Sequence, residues 1–227
     1  HILPDLLLGD ILEITGIHSI VGLLDATLVT APPFRAPHHT ASYVSMIGGG
    51  TNPKPGEVTL AHKGVLFLDE FPEFEKRVLE SLRQPLEDNV VSISRARGTA
   101  IFPSNFILIA AMNPCPCGHR GNKHKQCICK PSDLDRYNRK LSGPIMDRID
   151  IWVTAHLVDY DKLSHSTPTG DTTKTIRAKV ARARAIQTTR FKNATRHIAT
   201  NSEMNVKELN LYAPLADDIK KLLNESA

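Results

Sequence analysis

The sequence predicts an α/β fold in which helices flank a parallel sheet, and three observations point to it. Two short, almost continuously apolar runs, GVLFLDE (Gly64–Glu70) and FILIAAMNP (Phe106–Pro114), read as strands buried on both faces. Between them FPEFEKRVLESLRQPLEDN carries apolar residues at helical spacing through Phe74, Val78, Leu79 and Leu82. Each run ends in polar residues at what becomes the carboxyl edge of a sheet, where α/β folds bind their ligands.

The remaining elements follow in chain order. The opening LLLGDILEITGIHSIVGLL is apolar at mixed helical spacing and interrupted by Gly9, Gly16 and Gly22, which predicts one or two short helices. From Thr30 to Gly56 the composition turns to Pro, Gly, His and Ser, the mark of an irregular, exposed loop. VVSISRARGTAIFPS alternates apolar and polar residues around Arg95, Ala96, Arg97 and Gly98, predicting a β-hairpin with a basic tip. DLDRYNRKLSGPIMDRIDIWVTAHL reads as a helix, a turn at Ser142-Gly143-Pro144, a short helix and a final strand. The core is therefore assigned to residues 1–158, with a Cys-rich loop at 114–131 and a polar Pro/Gly connector at 159–171. Residues 172–227 form a helical remainder. Its first helix places Ile176, Val180, Ala183 and Ile186 on one face, and Leu209–Leu223 supplies one or two more.

Bulk properties narrow the class of function. A chain of 227 residues with 41% hydrophobic content buries a real core, and no run approaches the roughly 20 apolar residues of a membrane span. Nothing resembles a signal peptide, so a cytoplasmic setting without membrane association is expected. The net charge of +4 permits an anionic partner without requiring one, and an aromatic content of 5% argues against base stacking as a main binding mode.

The acids at the end of GVLFLDE carry the first chemical suggestion. In an ATPase, Asp69 would hold Mg2+ through its water shell and Glu70 would orient or deprotonate the water attacking the γ-phosphate. A core strand can also simply end in exposed acids, so context decides. That context is Asn113, placed at the same edge, where an amide can hydrogen-bond the γ-phosphate or the attacking water; an Asn before Pro is equally a turn-former.

RAPHHTASYVSMIGGG, PGEVTLAHKGVLFLDEFPEF, AAMNPCPCG and SGPIMDRIDI, in that order, resemble the magnesium-chelatase-like AAA+ ATPases of the ComM/YifB type over nearly the whole chain. The resemblance implies a P-loop NTPase-type sheet with part of a C-terminal helical lid, and a ring, hexameric by expectation, that couples ATP hydrolysis to DNA remodelling or branch migration. It matches Asp69 and Glu70 to Walker B, Asn113 to sensor 1, and Arg148 to the arginine finger that completes a neighbouring subunit's site. Without that match, a surface salt bridge from Arg148 to Asp147 or Asp150 would be the simpler reading. The chain departs from the family in lacking any G-x-x-x-x-G-K-[ST] phosphate loop. The fold is therefore expected to be incomplete at the N-terminus, without a strand that belongs between or beside the Walker B and sensor 1 strands. Alone, the segment is expected to bind ATP poorly and hydrolyse it negligibly.

Cys115, Cys117, Cys127 and Cys129 crowd one Gly/Pro-punctuated loop. Four thiolates can surround a structural Zn2+ tetrahedrally, although free or partly oxidised thiols fit the same spacing. Arg95 and Arg97 at the hairpin tip, with Lys54 in the Gly/Pro loop, are candidates for contacting DNA phosphates without reading sequence; a solvated basic face is the alternative. Two other functions stay open: a chelatase-type motor for metal insertion into tetrapyrroles, and a non-catalytic, zinc-stabilised binding or assembly module.

Overall fold

The computed structural model describes residues 2–24, 27–95, 98–122, 125–155, 170–196 and 198–226. They form two compact units, Asp5–Ser166 and a smaller one made of His1–Pro4 with Thr167–Ala227. Among the described residues, no helix is long and apolar enough to cross a membrane.

The larger unit opens with α1 (Leu8–Ile20), a single helix in which Ile14, Ile17 and His18 are buried. Strand β1 (Phe34–Arg35) follows, then α2 (Tyr43–Ile47), the short strands β2 (Gly48–Gly49) and β3 (Lys54–Pro55), and α3 (Glu57–Leu60). Next come β4 (Val65–Leu68), a 3-10 turn (Phe71–Glu73), α4 (Lys76–Ser81), α5 (Arg83–Asp88), β5 (Val90–Arg95), β6 (Gly98–Pro103) and β7 (Ile107–Ala110). Helices α6 (Pro131–Asn138) and α7 (Gly143–Met146) close the unit. The sheet is parallel, in the order β1-β4-β7, with Val65 opposite Phe34 on one side and Ile107 on the other.

Register explains which side chains make the core. Leu66 and Leu68 lie on one face of the central strand and are fully buried with Met46, Val78 and Leu82. Burying each such side chain stabilises the unit by roughly 1.5–3 kcal/mol. On the other face Phe67 stacks with Phe34, ring centroids 6.1 Å apart. Gly64, immediately before the strand, permits a close crossing, since a Cβ there would stand 2.0 Å from the Pro33 carbonyl oxygen.

Several expectations are corrected. The 30–56 stretch is not an irregular exposed loop: it contributes β1, α2, β2 and β3, and Met46 and Ile47 join the core. Ser42 makes this possible by capping α2, its hydroxyl accepting the Ser45 N–H at 3.1 Å. β7 is not buried on both faces, because it is the edge strand of the described sheet and leaves Ile107 and Ile109 exposed. β4 and β7 pair directly, so no strand lies between them. Helix formation after β4 begins only at Lys76, behind a turn fixed by Pro72. The final strand is absent from residues 150–155, where Ile151, Trp152 and Val153 are exposed without a pairing partner strand among the described residues; residues 156–169 lie outside the described set.

The smaller unit holds α8 (Thr173–Arg190), α9 (Val206–Tyr212) and α10 (Asp217–Ser226). Thr172 caps α8 through its hydroxyl, and Asn205 forms a capping box with Glu208 on α9. The expected apolar face of α8 is not sealed: Ile176 and Val180 are half-buried, while Ala183 and Ile186 are exposed. Phe191 and Ile198 are buried instead, with Phe191 edge-on to Tyr212 at 5.5 Å.

His62, next to the sheet, titrates with folding. Its Nδ1 accepts the Asn105 N–H at 3.0 Å, so the neutral ring carries its proton on Nε2, 3.2 Å from Glu13 Oε2. Burial holds the imidazole below its ordinary value of 6.5, against the opposing pull of Glu13. A depressed folded value means that the unfolded chain takes up the proton first as pH falls. The contribution is therefore complete above about pH 6.5 and lost below it. Thermal melts between roughly pH 7.5 and 5 should show a fall in Tm that His62→Gln flattens; an unchanged slope would remove His62 as its source.

Candidate functional site at the carboxyl edge of the sheet

The pairing of β4 with β7 continues past the ends of both strands. Ala111 N–H donates to the Leu68 carbonyl at 2.9 Å and Phe71 N–H to the Ala111 carbonyl at 2.9 Å. Asp69, Glu70 and Asn113 therefore leave neighbouring strands at one edge, and all three are exposed. Glu70 takes a left-handed backbone conformation with φ 51°, a strain on the order of 1 kcal/mol for a residue with a side chain. Asp69 supports it, Oδ1 accepting the Glu70 N–H at 2.8 Å, and the buried Phe71 and Pro72 anchor the turn on its C-terminal side. His39 Nδ1 lies 2.8 Å from Glu70 Oε2, and its ring meets Phe74 edge-on. Sequence reasoning gave His39 no role, although the paired histidines of the Pro-flanked RAPHH stretch were a visible signal.

Asn113 continues into the cysteine loop. The Tyr137 hydroxyl, on α6, donates to the Asn113 carbonyl at 3.0 Å. Burial pushes that phenol above its ordinary value, helped by the Glu73 carboxylate, which keeps it protonated as a donor. Cys115, Cys117, Cys127 and Cys129 bring their Sγ atoms within 4.8 Å of one another. Sγ of Cys115 lies 3.4 Å from that of Cys117 and 3.8 Å from that of Cys127, with Cys117 and Cys127 3.7 Å apart. A tetrahedral tetrathiolate with metal–sulfur bonds of about 2.3 Å has S···S edges of roughly 3.8 Å, so the cluster has the size and donor set for zinc. Backbone N–H groups of His119 and Ile128 pull the Cys117 thiol down to about 6, whereas burial pushes Cys129 up to about 12, so without a metal the four thiols do not ionise together.

Arg148 does not join this edge by any contact among the described residues. It pairs with Glu87 of α5, not with Asp147 or Asp150, and its Nη1 donates to the Pro144 carbonyl at 2.6 Å. The guanidinium is half-buried, and Nε has no hydrogen-bond partner among the described residues. Strands β5 and β6 form the expected antiparallel hairpin, with Arg95 opposite Gly98 in register. The Arg95 side chain and all of Ala96 and Arg97 lie outside the described residues. Lys54 is exposed on the separate β2-β3 hairpin.

Comparison with known proteins identifies the family. The profile of magnesium chelatase, subunit ChlI, matches residues 1–163, and that of its C-terminal region matches residues 170–227. Competence protein ComM of Haemophilus influenzae is 44% identical over 197 residues, 85% of this chain and 37% of its own length. Uncharacterized protein YifB of Escherichia coli is 43% identical over 187 residues, 82% of this chain and 37% of its own length. A more distant relative, DNA replication licensing factor Mcm6 of Drosophila melanogaster, is 29% identical over 97 residues, 43% of this chain and 11% of its own length. The chain thus spans well under half the length of these relatives.

Proposed function

This chain belongs to the magnesium chelatase ChlI family, and on that premise we propose that it supplies the hydrolysis half of an ATP site in a longer, ring-forming AAA+ ATPase that acts on DNA. One observation carries the reading: Asp69 and Glu70 follow β4, and Asn113 follows the directly paired parallel strand β7, at the same carboxyl edge, where an α/β sheet binds its ligands. Asp69 is the residue to hold Mg2+, which supplies charge neutralisation at the transferring phosphate. Glu70 orients and deprotonates the attacking water, and Asn113 hydrogen-bonds the γ-phosphate or that water. Arg148 serves the neighbouring subunit as a finger on transition-state charge, which requires it to leave Glu87. The cysteine cluster takes one structural Zn2+, its four sulfurs closing the coordination sphere.

The relatedness to ComM and to a replication licensing factor favours DNA remodelling, branch migration included, over the chelatase-type motor. The Arg95 and Arg97 hairpin is the proposed contact with DNA phosphates, Lys54 a lesser one. Residues 1–158 form the nucleotide-handling core, 159–171 the connector and 172–227 part of the lid.

In the full-length protein, Glu70→Gln should still bind ATP but turn it over at least ~100-fold more slowly. Near-normal steady-state hydrolysis would remove Glu70 from the chemistry. Metal analysis of protein purified without chelator should find about one zinc per chain. A content near zero, with all four thiols alkylated readily in the native protein, would leave the cluster as free cysteines. Replacing Arg95 and Arg97 together by Ala should weaken binding to duplex DNA of any sequence. The slope of log affinity against log salt should fall by up to about two. Unchanged affinity and slope would mean that the hairpin does not touch DNA.

A further inference from the structure

The loop that leaves Asn113 returns to hold it. Two residues beyond Asn113 the chain enters the thiol cluster at Cys115, which is fully buried and accepts the Arg120 N–H at its Sγ, 3.3 Å away. A tight turn follows, Gly118 N–H donating to the Cys115 carbonyl at 3.0 Å with Gly118 in the left-handed region at φ 76°. That turn backs onto the asparagine: a Cβ on Gly118 would stand 4.0 Å from Asn113 Oδ1. The chain leaves the cluster at Cys129 and enters α6 at Pro131, and α6 delivers the buried Tyr137, whose hydroxyl bonds the Asn113 carbonyl. One turn later Lys140 pairs at 2.6 Å with Glu73, in the turn that directly follows Glu70. The thiol cluster thus closes a circuit whose far end grips the backbone of Asn113 and reaches the Glu70 turn.

We propose that Tyr137 is a positioning residue for Asn113, and that the cysteine cluster completes the same clamp, so that its integrity sets the rate of hydrolysis as well as the stability of the loop. The inference rests on the assignment of Asn113 to the ATP site. Asn113 is exposed and lies three residues past the end of β7, where the sheet no longer dictates its geometry. A side-chain amide there is aimed only as well as its own peptide is held; the hydrogen bond from Tyr137 holds that peptide, and the Cys115–Gly118 turn lies beside the amide.

The test is a double-mutant cycle in the full-length protein, reading steady-state ATP hydrolysis and the affinity for a fluorescent ATP analogue. Tyr137→Phe keeps the buried ring and removes only the hydroxyl; it should lower kcat about fivefold, the worth of one hydrogen bond, with nucleotide affinity unchanged. Cys127→Ser, which opens the cluster at a distance from Asn113 in sequence, should lower kcat in the same way. Neither substitution should slow an Asn113→Ala protein further, because the group they position is already gone. Costs that add to those of a slow Asn113→Ala protein would overturn the inference alone, as would a Tyr137→Phe protein with full turnover. An Asn113→Ala protein with normal turnover would overturn the assignment of Asn113 and the inference with it. Should Cys127→Ser fail to fold, Cys129→Ser is read in its place, and full turnover in whichever folds would overturn the part assigned to the cluster.

Discussion

Everything at this site depends on the parallel pairing of β4 with β7. Parallel strands end at the same edge, and the hydrogen bonds from Ala111 to Leu68 and from Phe71 to Ala111 carry the pairing one step past the regular ladder. A slip of one residue would turn Leu66 and Leu68 away from the core, so burial of these two side chains also fixes which residues stand at the strand end. The register that makes the core is also the register that brings Asp69 and Glu70 to the edge at which the chain leaves β7 toward Asn113. Packing and chemistry are set by one choice.

The supports around that edge are of a different kind. β1 is tied to α3 by the bidentate pair of Arg35 with Glu57, at 2.6 and 2.8 Å, and half-burial makes this pair stronger than a solvated one. The Glu57 carboxylate raises the Arg35 guanidinium above its ordinary value, so the arginine keeps its charge at any pH at which the protein is folded. Since β1 flanks β4 opposite β7, that pair steadies the strand from the side away from β7.

Much of this was legible in the sequence, and the failures share a cause. The apolar run before Asp69 and Glu70 is local information, and it yields both the strand and the acids at its end. The alternation around Arg95 likewise yields the hairpin. The run before Asn113 looks the same, yet Ile107 and Ile109 are exposed, because burial depends on which neighbours cover a strand and not on the strand's own residues. The 30–56 stretch failed in the opposite sense. Its prolines and glycines signal turns correctly, but Met46 and Ile47 reach the core through tertiary contacts with residues such as Val58 and Val78 that no short window contains. The pairing of His39 with Glu70 and the hydrogen bond from Tyr137 to Asn113 were hidden for the same reason, as contacts between distant segments.

Exposure separates what these residues contribute to stability from what they can contribute to chemistry. Asp69, Glu70 and Asn113 bury little of their side chains, so the fold gains little from their identity and their replacement should leave the core intact. Tyr137 is the reverse case, with a buried ring that packs α6 and a hydroxyl spent on a backbone carbonyl of the site. Arg148 lies between the two. Its half-buried guanidinium is held by Glu87 and the Pro144 carbonyl while Nε has no partner among the described residues, so part of its hydrogen-bonding capacity is unmet there. A planar donor in that condition is only partly satisfied where it rests. An acceptor-rich anion that engaged Nε as well would compete with Glu87 on better terms than it could against a fully bonded arginine.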